Sequence, residues 1–285
     1  MVIQKIIKEL IHNNIIHSEP TEYEHLKGGT VSELYLLNID GIKYVVKLND
    51  PQVIESEVTF LDYYKEIKLL PNLLFVEPSY KYIVYSFING STNFVRKNKK
   101  DMLKTLVQGL LNNYKLAPND IGWGWADQSV DSWQRFLINE IVEAKKIIAS
   151  RLDNDDYNFV CNLVKKNSTD SKPFLLHGDC GVHNFIFSDR QLIGVIDPTP
   201  IIGDPLYDLI YAFCSSPDDL TKETIDSGVR HLMLKREKNN SALYEQVIIN
   251  LYLRLGTCIK RHPNDFEEYF KAWNYWKGII KNVKF

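Results

Sequence analysis

The sequence has few cysteines, no excess of charge of one sign and no long apolar run. Its four cysteines among 285 residues form no C-x-x-C pair, which argues against a disulfide framework and a thiolate zinc site. The formal net charge of -2 supplies no broad basic field for a phosphate backbone, so we expect no nucleic acid partner. The wide separation of the cysteines fits a reducing cytoplasm, so we expect a cytoplasmic location. No segment offers the roughly 18 apolar residues that a membrane span needs, so we expect no membrane partner.

Two segments need a separate interpretation, one because it is apolar and one because it is basic. Apolar residues recur at helical spacing over residues 2–11, but Lys5, Lys8 and Glu9 interrupt them. This pattern predicts a packed amphipathic helix rather than a targeting segment. A short basic run covers residues 96–100, and we expect it to form a solvated face, as short charge runs usually do.

The first third of the sequence has the pattern of a small antiparallel sheet with one main helix. Strand-like alternation over Glu33–Ile39 and Ile42–Leu48 is joined by Asp40-Gly41, a dipeptide typical of tight hairpins. The other elements predicted here are a helix over residues 53–68 and strands over Leu73–Val76 and residues 82–87.

Helical patterns dominate the remainder of the sequence. We predict helices over residues 101–115, residues 132–150 and Asn154–Lys166, and a further helical series after Pro205. Short apolar strands are predicted between them, at Phe174–Leu176, residues 184–187 and residues 192–196. The sequence therefore predicts an α+β, two-lobed fold, with an N-terminal lobe over residues 1–88, a C-terminal lobe over residues 89–285 and a binding cleft between them.

Polar residues with a clear chemical pattern lie around the short strands. Asp179 and Asn184 occupy one loop between two apolar strands, and Asp197 directly follows the next strand. An acid at the end of a buried strand is costly unless it is paired, hydrogen-bonded or bound to a cation. Mg²⁺ accepts one carboxylate and one amide oxygen together with phosphates and water, so Asn184 and Asp197 are candidate ligands.

Four motifs follow one another along the chain. They are Lys47 with Glu57, His177-Gly178-Asp179 with Asn184, Ile196-Asp197-Pro198, and Gly203-Asp204-Pro205-Leu206-Tyr207-Asp208-Leu209. In these motifs and their order the sequence resembles the aminoglycoside phosphotransferase family, which shares the two-lobed fold of protein kinases and includes choline-type kinases. The resemblance extends over about residues 26–213 and covers most of the chain.

The resemblance implies a role for each motif. Asp179 would accept or orient the acceptor hydroxyl, Asn184 and Asp197 would hold Mg²⁺, and Lys47 would position the phosphates. We favour Glu57 over Glu55 as the partner of Lys47, because the two acids lie on different helical faces. The nucleotide, ATP or GTP, would also meet the backbone of Gly29, Thr30, Ser32, Ser86, Phe87 and Ile88. The glycine loop departs from the spaced G-x-G-x-x-G of protein kinases, since Gly28 and Gly29 are adjacent.

The function implied is transfer of the terminal phosphate of a nucleoside triphosphate to a hydroxyl group of a small molecule. An aminoglycoside or related antibiotic is one candidate acceptor, which would make the protein an antibiotic resistance enzyme. The alternatives are a kinase of a small metabolite of the choline, methylthio sugar or amino-acid alcohol type, and a nucleotide-binding module without catalysis.

Several other residues have both a functional and a structural interpretation. His177 is interpreted as a scaffold residue, although His177, Asp179, Cys180 and His183 could instead bind zinc. Asp204 and Asp208 are interpreted as structural acids at a helix start. We interpret the tryptophans at 123, 125 and 133 as part of the packing of the lobe rather than as an aromatic surface for a substrate. The acids at 265, 267 and 268 are equally compatible with an acceptor pocket and with a solvated face.

Overall fold

The chain folds into a small sheet-rich lobe followed by a larger helical lobe, as the sequence predicts. The structure, a computed structural model, describes residues 2–26, 32–118, 122–166, 172–233 and 240–283. Its helices are α1 (Val2–His12), α2 (Pro51–Tyr63), α3 (Lys99–Gly109), α4 (Trp133–Ile148), α5 (Asn154–Lys166), α6 (Leu206–Cys214), α7 (Lys222–Val229), α8 (Asn240–Arg261) and α9 (Phe266–Val283). Its strands are β1 (Glu22–Leu26), β2 (Glu33–Ile39), β3 (Ile42–Leu48), β4 (Leu73–Val76), β5 (Tyr82–Ser86), β6 (Gly124–Trp125), β7 (Phe174–Leu176), β8 (Phe185–Ser188), β9 (Gln191–Val195) and β10 (Ile201–Gly203). The lobe boundary at residue 88 stays a prediction.

The first lobe is built on a five-stranded antiparallel sheet in the order β1-β2-β3-β5-β4. Side chains alternate between the two faces of a strand, so adjacent residues are buried in different clusters. The residues on the α2 face include Leu36, Val45 and Ile83, and those on the α1 face include Leu37, Val46 and Val84. Lys47 pairs with Ile83 across β3 and β5, and its side chain therefore points to the α2 face.

The predicted hairpin is confirmed, with both strand bounds as expected. Asp40 and Gly41 have φ angles of 52° and 85°, the left-handed backbone that a two-residue hairpin turn requires. Helix α2 differs from its prediction at both ends. It begins at Pro51, where a proline suits the first helical turn, and it ends at Tyr63. Beyond that point the chain turns, and the Tyr64 hydroxyl donates to the Leu175 carbonyl at 2.6 Å.

The prediction of a solvated basic face is wrong for part of the run. Lys99 is fully buried, and its ammonium donates to the carbonyls of Phe213 at 3.0 Å and Ser216 at 2.8 Å. The Phe213 carbonyl lies in the last turn of α6 and the Ser216 carbonyl just beyond it, where acceptors have no partner within the helix and a cation is favoured. The basic run thus ties the start of α3 to the end of α6.

The second lobe packs its helices around one continuous apolar core. Helix α8 packs against both α4 and α9, and Trp273 and Trp276 of α9 are fully buried. Trp133 is also buried and stacks on Phe136 with ring centroids 4.9 Å apart, which supports the packing interpretation for this tryptophan. The four cysteines are free and buried. Among the helices within the described ranges, none combines the length and apolar character of a membrane span.

Candidate active site

The three residues at the centre of the prediction lie at the ends of short strands. Asp179 follows β7, Asn184 directly precedes β8, and Asp197 follows β9. Strands β8 and β9 form an antiparallel hairpin, and the Ile196 amide donates to the Asn184 carbonyl at 2.9 Å. The open end of this hairpin therefore holds Asn184 beside Asp197.

The side chain of Asn184 joins the two acids. Its Nδ2 donates to Asp179 Oδ2 at 2.9 Å and to the Asp179 carbonyl at 3.0 Å, and it lies 3.5 Å from the Asp197 carbonyl. Because Nδ2 is committed to these acceptors, Oδ1 is the atom that Asn184 can offer to a cation. The structure thus brings Asp179, Asn184 and Asp197 into one cluster.

Lys47 connects this cluster to the first lobe. Its Nζ lies 2.5 Å from Glu57 Oε2 and also donates to Asp197 Oδ1. The side chains of Lys47 and Glu57 are only 2% and 1% exposed. Burial alone would disfavour the charged lysine, but the attraction of Glu57 and Asp197 outweighs it and raises the pKa of Lys47. Glu55, by contrast, is exposed and lines a surface pocket, so Glu57 is the acid that Lys47 contacts.

The carboxylate of Asp179 is strongly held as an anion. Its Oδ2 accepts from Asn184 and lies 3.2 Å from His183 Nε2. Burial opposes ionisation, but the hydrogen bond from His183 and the charge on His183 lower the pKa of Asp179 to about 2. At neutral pH this group therefore acts as a hydrogen-bond acceptor that can orient a hydroxyl. The sequence assigned no catalytic role to His183, because this residue belongs to no motif with Asp179.

A buried network fixes the loop that carries Asp179. Asp208 accepts from the backbone amides of His177 at 2.9 Å and Gly178 at 3.1 Å, and from the Tyr114 hydroxyl at 2.5 Å. Burial raises the pKa of Asp208 to about 6. Asp208 is therefore structural, as the sequence predicts. The reason differs from the predicted one, because Asp208 holds the neighbouring loop. Asp204 behaves as expected, since its Oδ1 accepts from the Leu206 amide at 2.9 Å at the start of α6.

His177 supports the loop from inside the protein. Its Nε2 lies 3.1 Å from the Ile196 carbonyl, and its Nδ1 accepts from the Asp179 amide at 3.3 Å. These partners require a neutral ring protonated on Nε2, and burial lowers the pKa of His177 to about 4. This geometry supports the scaffold interpretation and leaves no free ring nitrogen for a metal.

Two backbone conformations in the site are restrictive. Gly178 has a φ of +80°, and a Cβ atom there would lie 1.9 Å from the Thr199 carbonyl oxygen. Asp197 has a φ of 59°, a conformation that costs about 1–3 kcal/mol for a residue other than glycine. Such strain is typical of residues that a binding or catalytic site holds in place.

The predicted nucleotide contacts are described only in part. Gly29 and Thr30 lie outside the described residues. Ser32 Oγ accepts from Asn49 Nδ2 at 2.9 Å, and Ser86 Oγ accepts from the Asn72 amide at 2.9 Å. The Phe87 amide donates to the Lys43 carbonyl at 3.2 Å, so this amide continues the sheet and is not free for a nucleotide base. Ile88 packs on Gly194, where a Cβ atom would lie 2.7 Å from Ile88 Cδ1. Ser32 thus directly precedes β2, Ser86 ends β5, and Phe87 and Ile88 follow it.

The donor set of the cluster suits a hard cation. Asp197 has a side chain that is 48% exposed, and together with Asn184 Oδ1 it offers the oxygen ligands that Mg²⁺ prefers. The zinc alternative has no support, because no group of three or more His, Cys, Asp and Glu residues in the described ranges could hold a metal ion. The acids Asp265 and Glu268 are not free either, since both pair with Arg96, at 3.2 and 3.3 Å.

Solved structures with this architecture include several kinases. Choline kinase LicA from Streptococcus pneumoniae is 17% identical, with 98% of this chain and 100% of that chain covered and a TM-score of 0.65. A putative fructosamine-3-kinase from Haemophilus somnus is 18% identical over 96% of both chains, with a TM-score of 0.65. A thermostable mutant of aminoglycoside phosphotransferase APH(4)-Ia, in a ternary complex with AMP-PNP and hygromycin B, is 17% identical over 97% and 98% of the chains, with a TM-score of 0.60. At these identities the likeness shows the protein-kinase-like fold.

Family membership rests on the sequence itself. Among curated proteins none matches the chain. The family model of the APH phosphotransferase enzyme family, however, matches residues 22–233, which include every predicted site residue. This match confirms the resemblance that the motifs indicated. The chain belongs to the APH phosphotransferase enzyme family.

Proposed function

We propose that the protein transfers the terminal phosphate of a nucleoside triphosphate to a hydroxyl group of a small molecule, in an Mg²⁺-dependent reaction. The observation that carries this proposal is the continuous cluster of Glu57, Lys47, Asp197, Asn184 and Asp179. This cluster supports the proposal because it would supply the three parts that phosphoryl transfer requires, namely a cation for the phosphates, ligands for a metal ion and a carboxylate for the acceptor hydroxyl.

Each residue of the cluster has a distinct task. An ammonium group has three N–H donors, and two of those of Lys47 go to Glu57 and Asp197, so one remains for a phosphate oxygen. Asn184 and Asp197 would hold Mg²⁺, which when bound neutralises charge on the phosphates. Asp179 accepts a hydrogen bond from the acceptor hydroxyl and thereby directs a lone pair of the hydroxyl oxygen at the phosphorus.

The nucleotide donor, ATP or GTP, is supported by the fold and by the complex of the related APH(4)-Ia mutant with AMP-PNP. We place the nucleotide base at the connector formed by Ser86, Phe87 and Ile88, where backbone groups other than the amides of Ser86 and Phe87 would meet it, because those two amides already donate to Asn72 and Lys43. The Gly29, Thr30 and Ser32 backbone is proposed to cover the phosphates.

Two acceptor classes follow from the family and its structural neighbours. An aminoglycoside is the first, and a small hydroxylated metabolite, as for the choline and fructosamine kinases, is the second. Arg96 contacts both Asp265 and Glu268 and offsets one of their two negative charges, so this group of side chains does not separate the two acceptor classes. A nucleotide-binding module without catalysis would not need Asp179 held by Asn184 and His183.

A search for phosphorylated products tests the proposal. The purified protein is incubated with Mg²⁺, ATP or GTP, and a mixed library of aminoglycosides and hydroxylated metabolites, and the mixture is examined by mass spectrometry. We expect one acceptor class to gain a phosphoryl group, and we expect that product to disappear with EDTA or in Asp179→Asn. Nucleotide binding without any phosphorylated product or hydrolysis would favour the binding module and contradict the proposal.

A further inference from the structure

The His183 side chain contacts the carboxylate of Asp179. Its Nε2 lies 3.2 Å from Asp179 Oδ2, the same oxygen that accepts from Asn184 Nδ2 at 2.9 Å. Because Asp179 is ionised and can only accept, Nε2 of His183 must carry the proton of this hydrogen bond. Two donors from different residues thus fix the rotation of one carboxylate.

The position of the His183 ring is itself determined by Gly181. A Cβ atom at Gly181 would lie 2.3 Å from His183 Cε1 and 2.5 Å from His183 Nδ1. The backbone of Gly181 is extended, with φ -98° and ψ 156°, so any residue could adopt it without strain. The glycine is therefore needed at this position for the space that it leaves to the ring.

We infer that His183 is a positioning residue for phosphoryl transfer, seated on Gly181 and acting through Asp179. This inference rests on the proposed role of Asp179. His183 is 52% exposed and contributes little buried surface, so its contribution to folding is small. Its contribution to turnover is larger, because an acceptor hydroxyl reacts only when the carboxylate that orients it is itself held in one position.

A double-mutant cycle separates this role from a structural one. We expect His183→Ala to lower kcat about tenfold, as for loss of one hydrogen bond to a charged group, with the KM for nucleotide unchanged. Gly181→Ala should lower kcat by a similar factor because it displaces the ring, and it should have no further effect in the His183→Ala protein. His183→Gln, which keeps a side-chain N–H donor, should recover part of the loss. The urea midpoint should stay at the wild-type value in all four variants.

The assay uses release of ADP from Mg²⁺-ATP with water as acceptor, and choline, kanamycin and hygromycin B as added acceptors. The inference is overturned if His183→Ala turns over at the wild-type rate. It is also overturned if the separate fold-losses of kcat in Gly181→Ala and His183→Ala multiply in the double variant. If Asp179→Asn is as active as the wild type, the role of Asp179 fails and the inference fails with it. If the wild type turns over neither water nor any of the added acceptors, the proposed function fails instead. A second readout does not depend on turnover: ¹⁵N NMR at pH 8.5 should show the Nε2-protonated form of His183, and the Nδ1-protonated form would overturn the inference.

Discussion

Lys47 Nζ lies 2.5 Å from Glu57 Oε2 in a pair that is almost completely buried, and the same ammonium contacts Asp197. The pair joins helix α2 of the first lobe to the strand end that carries Asp197. A buried charge that loses a buried partner is costly, and Glu57 is the partner that is buried together with Lys47. The position of the Lys47 ammonium therefore depends on Glu57.

The first prediction concerns this pair. Glu57→Gln should lower kcat/KM about 100-fold, equivalent to about 2.7 kcal/mol, because Lys47 loses its charged partner. Glu55→Gln is the matched control on the same helix, and its exposed side chain should leave turnover unchanged. Steady-state kinetics with the acceptor from the product search checks both variants. Equal effects of the two substitutions would contradict the assignment of Glu57.

The second prediction concerns the loop glycine. Gly178→Ala should destabilise the protein by about 3 kcal/mol, because its Cβ would overlap the Thr199 carbonyl in addition to the strain of a positive φ. Gly41 has a φ of +85°, and no atom lies within 4 Å of the position that a Cβ would occupy there, so Gly41→Ala should cost only about 1 kcal/mol. Urea denaturation measures both values. A similar cost for the two variants would show that the Thr199 carbonyl moves away easily.

The third prediction concerns pH. In the folded protein His177 has a pKa of about 4, against 6.5 for the free side chain, so the unfolded chain binds more protons between these values. The stability that depends on neutral His177 is present above pH 6.5 and is lost as the pH falls toward 4, by about 3 kcal/mol in total.

Asp208 has the opposite effect on the pH dependence of stability. Its pKa is raised to about 6, so the folded protein binds more protons at this residue than the unfolded chain does. A comparison of the wild type with His177→Asn cancels this contribution, since Asp208 is present in both. The stability difference between the two proteins, measured without Mg²⁺, should shrink by about 3 kcal/mol between pH 7 and pH 4. A difference that is constant with pH would mean that His177 is not buried as a neutral ring.

The fourth prediction concerns the basic run. Lys99→Met should destabilise the protein by about 3 kcal/mol, because it leaves the carbonyls at the end of α6 without a donor. Lys100→Met, on the exposed neighbouring residue, should change stability by less than about 0.5 kcal/mol. Equal urea midpoints for the two variants would show that Lys99 is dispensable.

The sequence predicts those parts of the fold that are encoded locally. The bounds of β2 and β3 follow from alternating residues around Asp40-Gly41, and the cluster of Asp179, Asn184 and Asp197 follows from motifs on adjacent strand ends. The start of α2 could also have been found, because Asp50-Pro51 is a typical beginning of a helix.

Other features depend on contacts between distant segments and have no local signal. Strand β1 is mostly exposed, so it shows no apolar alternation and is defined by its pairing with β2. Lys99 resembles any surface lysine in sequence, and its burial depends on carbonyls more than 110 residues away. The same is true of Tyr114, which reaches Asp208 across 94 residues.

The most direct measurement of the central claim compares Asp179→Asn with the wild type in two assays. The account predicts that turnover falls about a thousandfold, because the neutral amide cannot accept and orient the hydroxyl as the carboxylate does. It also predicts that the affinity for Mg²⁺-nucleotide, measured by calorimetry, stays close to the wild-type value. Unchanged turnover, or loss of nucleotide binding together with turnover, would contradict the role given to Asp179.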